Sequence, residues 1–454
     1  MAKPRTRYVC QACGSVSTRW QGKCPDCGEW NTLVEEVVIA PSKERRRTSG
    51  TSAKPVSIAS VGVEEEHRLE TGLREFDRVL GGGLVPGSVV LLAGDPGIGK
   101  STLMLQACAH YLKREQASCL YVTGEESLRQ IKLRADRLGV EGRRLLVYAE
   151  TNINDILAHL ERLQPAIVVV DSIQTVYQPE LSSTPGSISQ VRESTAHVIQ
   201  FAKSSNIPVI VVGHVTKDGS IAGPRVLEHM VDVVLQFEGD HNHAFRIVRA
   251  LKNRFGSTNE IGLFEMHSEG LREVSNPSRF FLSQRSADIS GSCVTATIGG
   301  SRSLIIEIQA LLTPSNFGIP QRTVNGIDPR RLQLILAVLE RQSRLRFGQS
   351  DVFVNVVGGV RVDEPAVDLA VALSVVSSLK DKPVGADTLV VGELGLAGEV
   401  RHISQLGKRL HEAAKLGFSR AVIPGHNERE RIPDSIDVQA VQTLNEALAA
   451  LSLQ

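Results

Sequence analysis

Four stretches of the chain are apolar without interruption, residues 89–93, 119–122, 166–170 and 207–212, and they end at glycine, threonine or aspartate. Runs with no polar alternation suit strands buried on both faces, so they predict the central strands of a parallel sheet. Helical spacing lies between and before them. Leu73, Phe76, Val79 and Leu80 share one face just ahead of Gly81, Gly82 and Gly83, and residues 102–109 continue a helix after the first strand. Alternation appears only later, through Phe245, Ile247, Val248 and Leu251 and again over 261–264, which predicts a hairpin across 244–266. Beyond Pro277 the pattern changes. Two strands flank Gly299-Gly300, Leu332, Ile335, Leu336 and Leu339 line a helix over 329–340, and residues 351–362 give a strand and a Gly-Gly turn. An almost wholly apolar helix covers 366–379. Residues 40–55 are nearly free of apolar side chains and read as a flexible linker, with Lys43, Arg45, Arg46 and Arg47 as a solvated charge run. The expected division is a small module at 1–39, a linker at 40–57, an α/β domain at 58–284 and an α+β domain at 285–454.

Composition changes this picture little. A chain of 454 residues holds about three domains. A net charge of +1 does not announce a polyanion partner, so any nucleic-acid surface must be local. Nothing near the start has the apolar run of a signal peptide and no long uncharged apolar stretch could span a bilayer, so a cytoplasmic protein with no membrane partner is expected. Seven cysteines in that compartment argue against a disulfide framework. Four of them form two tight pairs, Cys10/Cys13 and Cys24/Cys27, separated by ten residues. Two such pairs close a tetrahedral Cys₄ site, and structural Zn²⁺ is the expectation. Trp20 and Trp30, both in this module, are expected to pack over the metal site for want of other core; stacking on an exposed base is the alternative for one of them. Whether the finger touches DNA or protein stays open.

The local chemistry is concentrated after the first apolar strand. Gly94-Asp95-Pro96-Gly97-Ile98-Gly99-Lys100-Ser101-Thr102 fits the G-x-x-x-x-G-K-[ST] phosphate loop, in the strand–loop–helix context that motif requires. The glycines let backbone N–H groups face the phosphates, the helix N-terminus adds its dipole, Lys100 reaches the β/γ-phosphates and Ser101 places a hydroxyl on Mg²⁺. Glu125 and Glu126 follow the next apolar strand, which is expected to neighbour the phosphate-loop strand. A carboxylate there can orient or deprotonate the attacking water, while either acid can also complement the following helix dipole. Asp171 ends the strand at 166–170. At the hairpin turn, Lys252 and Arg254 are two cations far in sequence from the phosphate loop, a placement that suits an anion held across a subunit boundary.

With the prelude Thr71-Gly72 … Asp77 … Leu80-Gly81-Gly82-Gly83, the phosphate loop resembles the RecA/KaiC-type ATPase core. The resemblance implies that Asp171 holds Mg²⁺ through water, that the Glu125/Glu126 pair positions the water with Glu125 slightly favoured, and that His214, with Thr216 and Lys217, stands where a γ-phosphate sensor would. It also puts residues 178–189 and the stretch carrying Lys217 and Arg225 where such rings carry DNA-binding loops; surface connections are the alternative. Lys252-Asn253-Arg254-Phe255-Gly256, following the Cys₄ finger and the phosphate loop, is similar to the signature of the bacterial RadA/Sms family of recombination and repair proteins. Residues 363–407 resemble the proteolytic domain of Lon, but Ala366 stands where the nucleophilic serine belongs and Gly407 where the lysine belongs, with Lys408 displaced by one. A Lon fold kept without its chemistry is expected. The fold class implied is α/β, a RecA-like P-loop ATPase core between an N-terminal Cys₄ zinc finger and a C-terminal Lon-protease-like α+β domain. The implied function is an ATP-dependent translocase or helicase on single-stranded DNA and branched recombination intermediates, working as a homo-hexameric ring with Lys252 or Arg254 supplied in trans. A recombinase or replication helicase is a candidate partner. A KaiC-like nucleotide switch or scaffold is the competing reading.

Overall fold

The computed structural model describes residues 5–10, 14–38, 68–140, 142–214, 226–239, 245–274, 289–315, 320–358, 360–427 and 432–454, with isolated positions between 274 and 289. The linker at 40–57 and the stretch at 217–225 lie outside the described residues. The chain divides into two compact units, Met1–Glu273 and Val274–Gln454.

The first unit begins with a small antiparallel sheet in which Arg5–Cys10 is flanked by Val16–Ser17 and Leu33–Val38. A nine-stranded sheet follows. Its parallel part runs Val233–Glu238, Val89–Gly94, Val209–His214, Ile167–Asp171, Cys119–Thr123 and Leu145–Ala149. The unbroken apolar runs have the predicted cause. Val90 and Leu92 face one core with Leu103, Met104 and Tyr121, whereas Val89, Leu91 and Ala93 face a second with Val168, Val170 and Val211. One expectation is corrected. Cys119–Thr123 does not neighbour the phosphate-loop strand, because Val209–His214 and Ile167–Asp171 lie between them. Strand order follows the crossover connections, which an apolar run does not encode.

The predicted hairpin pairs Phe245–Asn253 with Ile261–His267, and Gly270–Glu273 adds a third antiparallel strand at the sheet edge. The helix Arg74–Leu80 packs beside it. Its T-G-x-x-x-x-D prelude is a structural brace: the Asp77 carboxylate accepts from the backbone N–H and hydroxyl of Thr71 (both 2.8 Å) and from the Gly72 N–H (3.0 Å).

The second unit is a seven-stranded mixed sheet, from Arg322–Asn325 at one edge through Ser350–Val356, Arg302–Pro314, Ser292–Gly299, Thr388–Val390 and Arg420–Pro424 to Asp437–Val441. Helix Asp368–Lys380 is buried from Asp368 to Ser377, as its apolar sequence predicts. Ala366 is buried in the adjoining core. Arg409, wholly buried on helix Leu406–Lys415, pairs with Glu364 and donates to the carbonyls of Ala296 (2.6 Å) and Ser404 (3.1 Å). Glu364 also accepts from Thr297 Oγ1 and the Ile298 N–H. This network anchors the segment in which Ala366 stands where Lon carries its nucleophile. Among the described residues no helix is long and apolar enough to cross a membrane.

Candidate active site and metal centre

Strand Val89–Gly94 delivers the phosphate loop to helix Lys100–Arg114. Two of its glycines are demanded by space. A Cβ on Gly94 would lie 2.4 Å from the Phe237 carbonyl oxygen of the adjacent strand, and Gly99 has φ +114° with Met266 Cε 2.7 Å from where its Cβ would stand. Lys100 is buried, and its Nζ donates to the carbonyls of Gly94 and Asp95 (both 2.8 Å) and meets His214 Nδ1 at 3.2 Å. Burial lowers its pKa, opposed by the charges of Asp171, Glu125 and Asp95.

The opposite ring nitrogen of His214, Nε2, lies 3.0 Å from Glu125 Oε1. An ammonium can only donate, so Nδ1 accepts from Lys100 and the proton on Nε2 is given to Glu125. Glu125 also accepts from the Ser172 hydroxyl. These contacts, the His214 hydrogen bond foremost, lower its pKa to about 2 despite partial burial. Glu126 is occupied elsewhere: Arg134, on helix Leu128–Arg137, holds it at 2.5 Å. Of the two predicted acids, the geometry brings Glu125 to the phosphate loop and ties Glu126 to the helix.

Asp171 ends its strand as predicted and is buried. The hydroxyl of Tyr121 donates to it and also hydrogen-bonds the Ser101 side chain. A hydroxyl and a carboxylate gathered on one phenol are hard oxygen donors of the kind Mg²⁺ takes, so Ser101 and Asp171 fit that ion. Tyr121 is not legible in the sequence as a site residue, because a tyrosine inside an apolar strand reads as core. Arg246 is hidden for a similar reason. It sits buried in the alternating strand Phe245–Asn253, and its Nε donates to the Ile98 carbonyl of the phosphate loop (3.1 Å).

Lys252 and Arg254 lie at the other end of the sheet. Register links Gly94 to Phe237 and Val248, but Val90 to Val233 and Asn253. The turn is therefore level with the start of the phosphate-loop strand, about 16 Å from its loop end at the usual strand rise. Each residue of the pentapeptide also has a local contact. Lys252 Nζ donates to the carbonyls of Glu228 (2.8 Å), His229 (3.3 Å) and Val231 (2.8 Å), closing the end of helix Val226–Met230. The Asn253 amide donates to Val79 (3.4 Å) and Leu80 (3.2 Å) at the end of helix Arg74–Leu80. Arg254 pairs with Asp232 at 3.1 Å while its side chain stays 51% exposed. Gly256 comes close to Gly81, and Arg68 bridges the Gly81 and Phe255 carbonyls.

Of the two stretches expected to be DNA-binding loops, that at 217–225 is not described, nor are Thr216 and Lys217. The other, 178–189, is held by buried Gln190, which accepts from the Gln178 N–H (2.7 Å) and donates to the carbonyls of Gln178, Leu181 and Ser183.

In the finger, Cys10, Cys24 and Cys27 offer sulfurs within 4.8 Å of one another. Cys13, the fourth expected ligand, lies outside the described residues. Cys10 Sγ and Cys27 Sγ are 3.7 Å apart, close to the about 3.8 Å that tetrahedral Zn–S bonds of 2.3 Å impose. The two cysteine turns share one pattern: the Cys10 N–H donates to Ser15 and the Gly14 N–H to Cys10, as the Cys24 N–H does to Glu29 and the Gly28 N–H to Cys24. This donor set fits zinc. The tryptophans correct an expectation. They do not pack over the metal site; Trp20 is 57% and Trp30 68% exposed. Cys10, Cys24 and Leu33, with Tyr8 against them, already fill that core.

Known sequences match along the whole length. Residues 54–220 match the family model described as AAA domain, residues 8–35 that of the rubredoxin metal binding domain, and residues 314–427 that of subunit ChlI of Mg-chelatase. The DNA repair protein RadA of Bacillus subtilis (strain 168) is 52% identical over 99% of both chains. The chain belongs to the RadA family of DNA repair proteins. Further members of this family, each also described as DNA repair protein RadA, are similarly close: that of Listeria monocytogenes serovar 1/2a is 52% identical over 98% of both chains, and that of Streptococcus pyogenes serotype M6 48% over 99% of this chain and all of its own. Within the family's layout the chain carries an N-terminal zinc ribbon, an AAA ATPase domain and a ChlI/Lon-like C-terminal domain.

Proposed function

We propose that the protein is an ATP-driven motor on single-stranded DNA that drives strand extension or branch migration of recombination intermediates. The observation that carries this reading is the separation of two charge clusters across one sheet, with Lys100, Glu125 and Asp171 at the carboxyl end of its parallel strands and Lys252 and Arg254 level with their amino ends. A head-to-tail neighbour would bring the second cluster to the first, and heterologous contacts of that kind close into rings. A hexamer is the proposed ring. Its relatives' description as DNA repair proteins supports DNA as the track.

In each turnover the phosphates would displace Lys100 from the Gly94 and Asp95 carbonyls and from His214. Glu125, kept ionised by His214 and Ser172, would orient the attacking water and accept its proton. Arg254, the more exposed of the two cations, would steady transition-state charge from the neighbouring subunit, with Lys252 beside it. Ser101 and Asp171 would hold Mg²⁺, which neutralises phosphate charge when bound. Loops facing the ring interior would turn this cycle into movement. Steady-state ATP hydrolysis with and without single-stranded DNA, at two salt concentrations and beside Lys100→Ala, tests the reading. Large, salt-sensitive stimulation is expected. A rate indifferent to DNA would overturn the motor and leave a nucleotide switch.

A further inference from the structure

Exposed indoles are costly to leave in water and tend to mark contact sites. Trp20 and Trp30 share one neighbourhood, for both come within 4 Å of the point where a side chain on Gly22 would begin, at 3.9 and 3.7 Å. The backbone beneath them is fixed. Lys23 pairs with Trp30 across an antiparallel bridge, the Asn31 N–H donates to the Gly22 carbonyl at 2.8 Å, and the Ser17 hydroxyl closes a turn onto Arg19. Each indole also has a cation at hand. Lys23 Nζ stands 5.7 Å from the Trp30 ring centroid, and exposed Arg19 precedes Trp20. The acids Asp26 and Glu29 belong to the turn that follows Cys24.

We propose that Trp20 and Trp30 form a stacking platform for unpaired bases of single-stranded DNA, with Arg19 and Lys23 taking the adjoining phosphates. Aromatic faces accept any base, and neighbouring cations track the backbone, the combination used for sequence-tolerant binding. Gln21 and Lys23, between the indoles in sequence, continue the patch as polar surface rather than as the aliphatic surface a protein partner would bury. The inference rests on DNA being the track, and under it the zinc ribbon serves to present two indoles rigidly to the strand.

The chain contains two tryptophans, and both lie on the ribbon, so indole emission reports this platform alone. The zinc-loaded full-length protein is titrated with oligo-dT, following tryptophan emission and, in parallel, the anisotropy of a labelled oligo-dT. Saturable quenching with the same midpoint as the anisotropy is expected. Trp20→Ala/Trp30→Ala, checked to retain its zinc, should bind about tenfold more weakly, and Trp20→Phe/Trp30→Phe should recover most of the loss. Anisotropy that rises while emission stays flat, or a double alanine variant that binds as the native chain does, overturns the platform and leaves the DNA reading standing. No anisotropy change at all overturns both. Emission that responds only to an added recombinase or helicase, and not to oligo-dT, overturns the platform in favour of protein docking.

Discussion

At the residue scale, the proposed chemistry rests on the chain of contacts from Lys100 through His214 to Glu125. Both acids of the Glu125-Glu126 pair follow the same strand, and the sequence could not separate their roles, since partners decide them. Arg134 claims Glu126, and His214 with Ser172 claims Glu125. Glu125→Gln should therefore reduce ATP turnover by about 10²–10⁴-fold while nucleotide binding persists, and Glu126→Gln should cost far less. The pH profile gives a second check. His214 is the foremost cause of the lowered Glu125 pKa. Removing it with His214→Ala raises that pKa, so the base form is lost at a higher pH. The acid limb of kcat/KM, which reports the free enzyme, should shift toward neutrality; an unshifted limb would separate His214 from Glu125. Tyr121 and Arg246 are hidden in the sequence for a common reason. Each lies within an apolar or alternating strand, and only the fold turns it toward Asp171 or Ile98.

At the element scale, local patterns are legible in the sequence and connections are not. The apolar strands, the hairpin and the helix Asp368–Lys380 follow from period and burial. That Cys119–Thr123 is separated from the phosphate-loop strand by two others follows from crossovers that no local pattern records. The pentapeptide at the hairpin turn combines local bracing with one exposed cation. Asn253 and Lys252 close helix ends, as Gly256 packs on Gly81, while Arg254 keeps half its surface open. In the second unit the missing serine marks the Lon-like segment, but nothing in the sequence pairs Glu364 with the buried arginine that holds it. Arg409→Ala leaves Glu364 and the Ala296 and Ser404 carbonyls short of a partner and should destabilise that unit by about 3–5 kcal/mol. Chemical denaturation of the variant measures the loss. A change below about 1 kcal/mol would mean that water or a neighbouring group replaces the guanidinium.

At the scale of the whole molecule, family membership supplies a zinc ribbon, an AAA ATPase domain and a ChlI/Lon-like domain in one chain. The proposed cooperation of these parts requires a nucleotide site completed by the next subunit. The sequence suggests this only through the distance along the chain between Lys100 and Arg254. The sheet register supports it, because the two residues stand at opposite ends of the same sheet and one chain cannot bring them together without dismantling that sheet. The most direct measurement mixes two variants expected to be inactive, Lys100→Ala and Arg254→Ala, and compares ATP hydrolysis with each alone, co-assembly being verified by differential tagging. In a head-to-tail ring about a quarter of randomly formed interfaces pair an intact Lys100 with an intact Arg254. With the site completed in trans, the mixture hydrolyses ATP well above the sum of its parts. Mixed assemblies that stay at that sum, or an Arg254→Ala protein with native turnover, would contradict completion in trans.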